Sequence, residues 1–259
     1  MENINYADKK DIRAHKAYIH TEKMNTLYGK EIKESINKTK VYDGTMSKGG
    51  FTIIRTTSDG ALFSLPEAYV NTKKVLLLNF ASYKRPGGGF TTGATAQEES
   101  LCHCSNLYNI ISQFNDYYKY NNEHLNHGLY LDRALYTPGV IFEDKDGNTR
   151  VCDVLTCAAP NRSALTYDEN RGHVTEVDNE KALEKRVKFI YDICMKEDIE
   201  VAILGAWGCG VFKQDPTTVA KLFDKYFKYS GIYCMYAIPD FETFTTFEDA
   251  LYGNYDYDL

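Results

Sequence analysis

No apolar run in the 259-residue chain approaches the roughly 18 residues that a bilayer-spanning helix requires, so no membrane partner is expected. An excess of positive charge is also missing. Thirty lysines and arginines stand against 36 acids, a formal net charge of −6, which disfavours unspecific gripping of nucleic acid and leaves only local basic spots such as Lys84-Arg85 for phosphates. A polyanionic ligand would have to be held by shape. The opening MENINYADKK has no apolar signal segment, which makes a cytoplasmic protein the expectation. Seven cysteines, an odd number without an export signal, read as free thiols. Metal-ligand spacing is absent as well: Cys102, His103 and Cys104 are neighbours, and adjacent side chains on a helix point about 100° apart and cannot converge on one ion. His124 and His127 have helical spacing but no companion ligands, and read as solvated. Neither a metal nor a cofactor is expected.

What is present describes a globular chain. Hydrophobic residues make up 43% and charged residues 25%, and the length suits one large α/β domain or two small ones. No repeat or linker divides it, so residues 1–50 read as an N-terminal helical extension and 51–259 as the main body of one domain. Ala7 to Asn25 is charged and reads as an exposed helix. Ser47 to Gly50 marks a loop before the β-rich Phe51 to Thr56. Val75 to Phe80, VLLLNF, is a nearly continuous apolar run, as in strands buried on both faces. Ala134 to Glu143 and Val151 to Ala158 read as strands joined by a turn at Asp146-Gly147-Asn148. Asp178 to Lys196 reads as a surface helix. Ile199 to Leu204 is a further strand, Ile232 to Ile238 the last, and the tail YGNYDYDL is expected to fray.

Chemistry concentrates in Arg85 to Tyr108, RPGGGFTTGATAQEESLCHCSNLY. Gly87, Gly88 and Gly89 follow a strand, and without side chains such a loop approaches a ligand closely and aims N–H groups at an anion. Seven residues later come Gln97, Glu98 and Glu99. Thr95 to Glu98 fits a capping box, with Thr95 as N-cap and Glu98 at N3, which makes Glu98 structural or gives it two duties. Glu99 has no such duty; its plain reading is a first-turn acid favoured by the helix dipole. Leu101, Cys104, Tyr108 and Ile111 recur at helical spacing behind it. Asn79, at the carboxyl end of its strand where open sheets bind ligands, either satisfies a turn or offers its amide to a ribose.

Strand, glycine loop and helix recur at Gly205, Gly208, Cys209, Gly210, Val211 and Phe212. Asp215 then caps a helix with Pro216 in its first turn and Val219, Leu222, Phe223, Tyr226 and Phe227 on its buried face. Two such loops from neighbouring strand ends would clasp both sides of a diphosphate. A dinucleotide fold requires G-x-G-x-x-G opening the helix directly, which GCGVFK does not supply. Cys209 has no histidine partner motif and reads as a small residue in a crowded loop. Phe212 reads equally as core or as an exposed aromatic.

GGG, seven residues and QEE, set within LNFASYKRPGGGF and AQEESLCHCSNLY, resemble the signature of the short, bacterial-type poly(ADP-ribose) glycohydrolases, and GAWGCGVF fits them as well. The resemblance implies a three-layer α/β/α macrodomain with a mixed central sheet and an N-terminal extension. It implies a monomeric hydrolase that cuts the ribose–ribose bond of poly(ADP-ribose), or of another ADP-ribosylated macromolecule, and releases ADP-ribose. Glu99 would be acid and then base, and Glu98 would bond hydroxyls of the neighbouring ribose. ADP-ribose would meet Asn79, Gln97, Gly87 to Gly89 and the second loop, with Phe212 pressing on the terminal ribose. Removal of a single ADP-ribose, and binding without cleavage, stand as the alternatives. Arg85 departs from the family's pattern, which has an asparagine before the proline, and bears on substrate preference.

Overall fold

The computed structural model of the chain describes residues 6–42, 50–165 and 174–253. Helix α1 (Tyr6–Lys38) runs well past Asn25, with one non-helical residue, Tyr28, inside it. Its fully buried apolar side chains, Ala17, Met24 and Ile32, recur seven or eight residues apart. So narrow a stripe is hard to see among charges, which is why the sequence reads as a shorter, exposed helix. Next come β1 (Lys40–Tyr42), β2 (Gly50–Ile54), α2 (Ser58–Ser64), α3 (Glu67–Val70) and β3 (Val75–Phe80). The expected loop at Ser47 to Gly49 lies outside the described residues.

A short 3-10 turn at Phe90–Thr92 precedes α4 (Gln97–His103), α5 (Leu107–Ile111) and α6 (Asn115–Glu123). One continuous helix from Leu101 to Ile111 is therefore not what forms. Ser105 leaves the helix to bridge Phe142, and the Asn106 N–H donates to Ile141 O at 3.1 Å, so a strand edge captures the backbone between α4 and α5. The hairpin β4 (Ala134–Glu143) and β5 (Thr149–Cys157) follows, then α7 (Glu176–Lys196), β6 (Val201–Leu204), α8 (Pro216–Phe227), β7 (Tyr233–Ala237) and α9 (Phe241–Tyr252). Helix α9 was not foreseen; the tail from 254 onward lies outside the described residues.

The strands make one mixed sheet in the order β1-β4-β5-β3-β6-β7-β2. β1, β4 and β5 pair antiparallel, and β5, β3, β6, β7 and β2 pair parallel. Alternation along β3 sorts the two cores. Leu76 and Leu78 pack with Leu183 and Val187 of α7, Phe223 of α8 and Phe247 of α9. Val75 and Leu77 pack with Met24 of α1, Leu62 of α2 and Leu101 of α4. Helices on both faces of a sheet whose central strands β3, β6 and β7 are parallel and mostly apolar give the α/β/α sandwich that the resemblance implies.

Candidate active site

Both glycine loops leave the carboxyl ends of hydrogen-bonded neighbours. β3 and β6 run parallel in register, Val75 beside Val201 and Leu77 beside Ile203, so the loops after Phe80 and Leu204 emerge side by side. That is the edge at which open sheets hold ligands.

Gln97 ties α4 to the end of β3. Its Oε1 accepts the Phe80 N–H at 2.8 Å, and its Nε2 donates to Leu78 O and Ser58 Oγ, each at 2.9 Å. The helix N-cap is Ala96, one residue later than Thr95, which puts Glu99 rather than Glu98 at N3. The capping duty expected of Glu98 therefore falls to Glu99. Its Oε2 accepts the Ala96 N–H at 2.9 Å, while Oε1 accepts the Gly89 N–H at 2.7 Å. Each oxygen is held by a different backbone segment, so the carboxyl has little freedom to turn.

Glu98 lies beneath, 2% exposed against 6% for Glu99. Its Oε1 accepts Asn79 Nδ2 at 3.1 Å and its Oε2 accepts the Ser82 N–H at 2.7 Å. Burial raises its carboxyl to about 8, more than the Ser82 and Asn79 hydrogen bonds lower it, with Glu99 adding repulsion. The neutral form of Glu98 is thus favoured far more than that of an exposed glutamate. Asn79 is fully buried; its amide N–H groups serve Glu98 and Thr156 Oγ1, the latter at 3.2 Å. The Asn79 amide thus holds Glu98 from behind.

The glycine triplet has a different anion in its grip from the one expected. Gly88 has φ +58, and a Cβ there would fall 2.5 Å from Glu99 Oε1 and 3.0 Å from Glu98 Oε2. The Gly89 N–H is committed to Glu99 and the Gly88 N–H to Arg85 O. This nest cradles the protein's own carboxyls, not an open phosphate position. Gly205 is also set back from the surface: a Cβ would meet Ala237 O at 2.5 Å, so its smallness lets the ends of β6 and β7 close.

A cleft of about 610 Å³ opens at the start of α4, the helix that carries the two acids. Thr95, Ala96 and Gln97 form one wall, and Gly208, Cys209, Gly210, Val211 and Phe212 form the opposite one. Val211, 72% exposed, stands at its rim. Of the residues singled out in sequence, Gln97 and Gly208 to Phe212 line this cleft, whereas Asn79, Gly87 to Gly89, Glu98, Glu99 and Gly205 are not part of its lining. Cys209 is mostly buried, and desolvation pushes its thiol up to about 12, which suits a packing residue and not a nucleophile. Phe212 packs near Tyr130, ring centroids 6.0 Å apart, with Tyr130 stacked on Tyr83 at 4.2 Å.

Two further stretches complete the walls and were missed in sequence: Thr57 to Asp59 at the start of α2, and Pro239, Asp240 and Thr243 at the start of α9. Both carry a readable capping signal. Thr57 Oγ1 accepts the Gly60 N–H at 3.2 Å, and Asp240 accepts the Thr243 N–H at 2.9 Å, an N-cap and its third-following residue in each case.

A mixed sheet between two helical layers, with paired acids behind a glycine loop at the parallel strand ends, defines a macrodomain-like hydrolase. The chain belongs to the microbial-type poly(ADP-ribose) glycohydrolase (PARG) family, whose catalytic-domain model matches residues 7–143. Its fold is similar to that of the PARG from Thermomonospora curvata, with a TM-score of 0.81 and 24% identity over 93% of this chain and 99% of that one. The same enzyme bound to the inhibitor ADP-HPD matches at 0.79 and 25% identity, covering 95% and 100% of the two chains. The PARG from Deinococcus radiodurans in complex with ADP-ribose matches at 0.74 and 25%, covering 86% and 98%. No curated protein matches the chain in sequence.

Proposed function

We propose that the chain hydrolyses the ribose–ribose O-glycosidic bond of poly(ADP-ribose), releasing ADP-ribose, with Glu99 as general acid and then general base. The observation that carries this reading is the double hold on Glu99, one backbone N–H on each carboxyl oxygen, at the strand edge beside the cleft. Family membership supports a glycoside hydrolase, and solved relatives bind ADP-ribose and ADP-HPD. Breaking such a bond requires a proton for the departing oxygen and a water for an oxocarbenium-like carbon. Glu99 gives its proton to the leaving ribose oxygen as the C–O bond breaks. The resulting carboxylate takes a proton from the water that bonds to the ribosyl carbon, which restores the acid.

Burial disfavours the Glu98 anion, so this carboxyl adds little negative charge to the floor of the site. We assign it to the ribose hydroxyls next to the scissile bond, steered from behind by Asn79. The wall from Gly208 to Phe212 is assigned to the diphosphate and terminal ribose, while Gly87 to Gly89 and Gly205 set the shapes of the two loops. We place the enzyme in the cytoplasm, a reading supported by seven cysteines that are all free thiols, and assign it as a monomer. Among the described residues no helix is long and apolar enough to cross a membrane. Incubating wild type and Glu99→Gln with long polymer, and separately with singly modified protein, tests the assignment. Free ADP-ribose is expected from polymer with wild type and not with the variant; normal release by Glu99→Gln would remove Glu99 from the mechanism.

A further inference from the structure

The two donors that orient Glu99 stand at opposite ends of one short segment. Gly89 N–H begins it and Ala96 N–H ends it, and no regular element beyond a single 3-10 turn stiffens the backbone between them. Ala94 N–H closes back on Gly89 O at 3.0 Å, which keeps the first half compact. The middle is held from outside. Arg13 of α1 donates from Nε to Gly93 O at 2.8 Å, bridging 80 residues of sequence. At the same point α1's backbone lies directly against the segment: Gly93 has φ +78, and any Cβ there would run into Lys10 O. Below it, Phe90 is fully buried and meets the rings of His103 and Tyr108 at 4.7 and 4.9 Å.

We propose that Arg13 is a positioning residue for Glu99, and that α1 serves catalysis as a strap across the segment 89–96. This rests on Glu99 being the acid and base. The physical reason is geometric: a shift of Gly93 moves both N–H groups that aim the carboxyl, and each is within 3 Å of it, where small displacements weaken a hydrogen bond steeply. The remaining anchors of α1 lie elsewhere. His20 bonds Ser105 O at 2.8 Å, Lys23 pairs with Glu143, and Asn25 accepts from Asn109 at 2.7 Å. They hold the helix to the body without touching the segment.

The test compares ADP-ribose release from polymer by wild type, Arg13→Ala, Arg13→Lys, Lys23→Ala and Glu99→Gln, with equilibrium binding of ADP-ribose measured on each. Arg13→Ala is expected to lower kcat about tenfold or more, because misplacement of a reacting group costs rate before it costs binding. KM and ADP-ribose affinity stay unchanged, Arg13→Lys recovers part of the rate, and Lys23→Ala, which removes an α1 anchor away from the segment, behaves as wild type. Wild-type kcat in Arg13→Ala overturns the proposal. So does a loss of rate that Lys23→Ala shares, or that comes with an equal loss of ADP-ribose affinity, since either marks a merely structural role. Glu99→Gln separates the two failures: an inactive Glu99→Gln beside a fully active Arg13→Ala sinks only the strap, whereas an active Glu99→Gln sinks the assignment beneath it.

Discussion

Gly88 stands over Glu99 so closely that a methyl group on its Cα would lie 2.5 Å from Oε1. The same position requires φ +58, where a side chain is strained whatever the space. Gly88→Ala is therefore expected to push the carboxyl out of its two hydrogen bonds. Activity should fall about a hundredfold, in line with a displacement near 1 Å at a reacting group. The left-handed backbone adds a stability loss of about 1–2 kcal/mol. Turnover on polymer and thermal melting check the two effects separately, and wild-type turnover would show that the loop does not brace Glu99.

Glu98 ties activity and stability to pH. Burial disfavours its anion and pushes the folded carboxyl up to about 8 from the 4.5 of an exposed glutamate. Between those values the unfolded chain releases a proton that the native protein retains, so stability is fully present below about 4.5 and falls as pH rises towards 8. The loss attributable to this one group is roughly 3 to 5 kcal/mol. Activity should decline above pH 8 as Glu98 ionises and its hydrogen bonding to the ribose hydroxyls changes. Glu98→Gln is expected to flatten both profiles, measured by denaturant melts and by kcat/KM across pH 5 to 9. An unchanged alkaline limb in the variant would assign that titration to another group.

Cys209 lines the cleft without being poised to react. With the thiol pushed up to about 12, almost no thiolate exists at neutral pH. Iodoacetamide applied to the native enzyme should leave turnover unchanged, and Cys209→Ala should retain activity within about threefold, since only a small volume is lost from a half-buried wall. Rapid inactivation at one alkylated cysteine, mapped to position 209, would contradict this.

Much of this site is legible in one dimension. The strand Val75 to Phe80 and the two glycine loops stand out by pattern, whereas the weight placed on Gln97 to Glu99 comes from the family resemblance, since pattern alone reads Glu99 as an ordinary first-turn acid. The assignment of duties to the two acids was not, because it turns on whether α4 begins after Thr95 or after Ala96, and a helix start is seldom fixed to one residue by composition. That single step exchanges the capping carboxyl for the one raised by burial. The reach of α1 was hidden for another reason: Ala17, Met24 and Ile32 are too widely spaced to stand out among lysines and glutamates. Its contact with Gly93 joins residues 80 apart, a distance that no local pattern encodes. Helix α9 was overlooked because its first turn, FETFTT, is rich in threonine and aromatics that favour strands, although Asp240 caps it plainly.

β3 is hydrogen-bonded on both sides, by β5 and β6, while β1 and β2 form the sheet's two edges. Local opening costs least where few neighbours must be lost and most at the centre. Deuterium should therefore enter the edge amides early and those of Leu76 and Leu77, where β3 is paired on both sides, last. The peptide groups of Leu78 and Phe80, to which Gln97 anchors the acids, continue that central stretch, and partial fraying at either margin of the sheet leaves the anchorage intact.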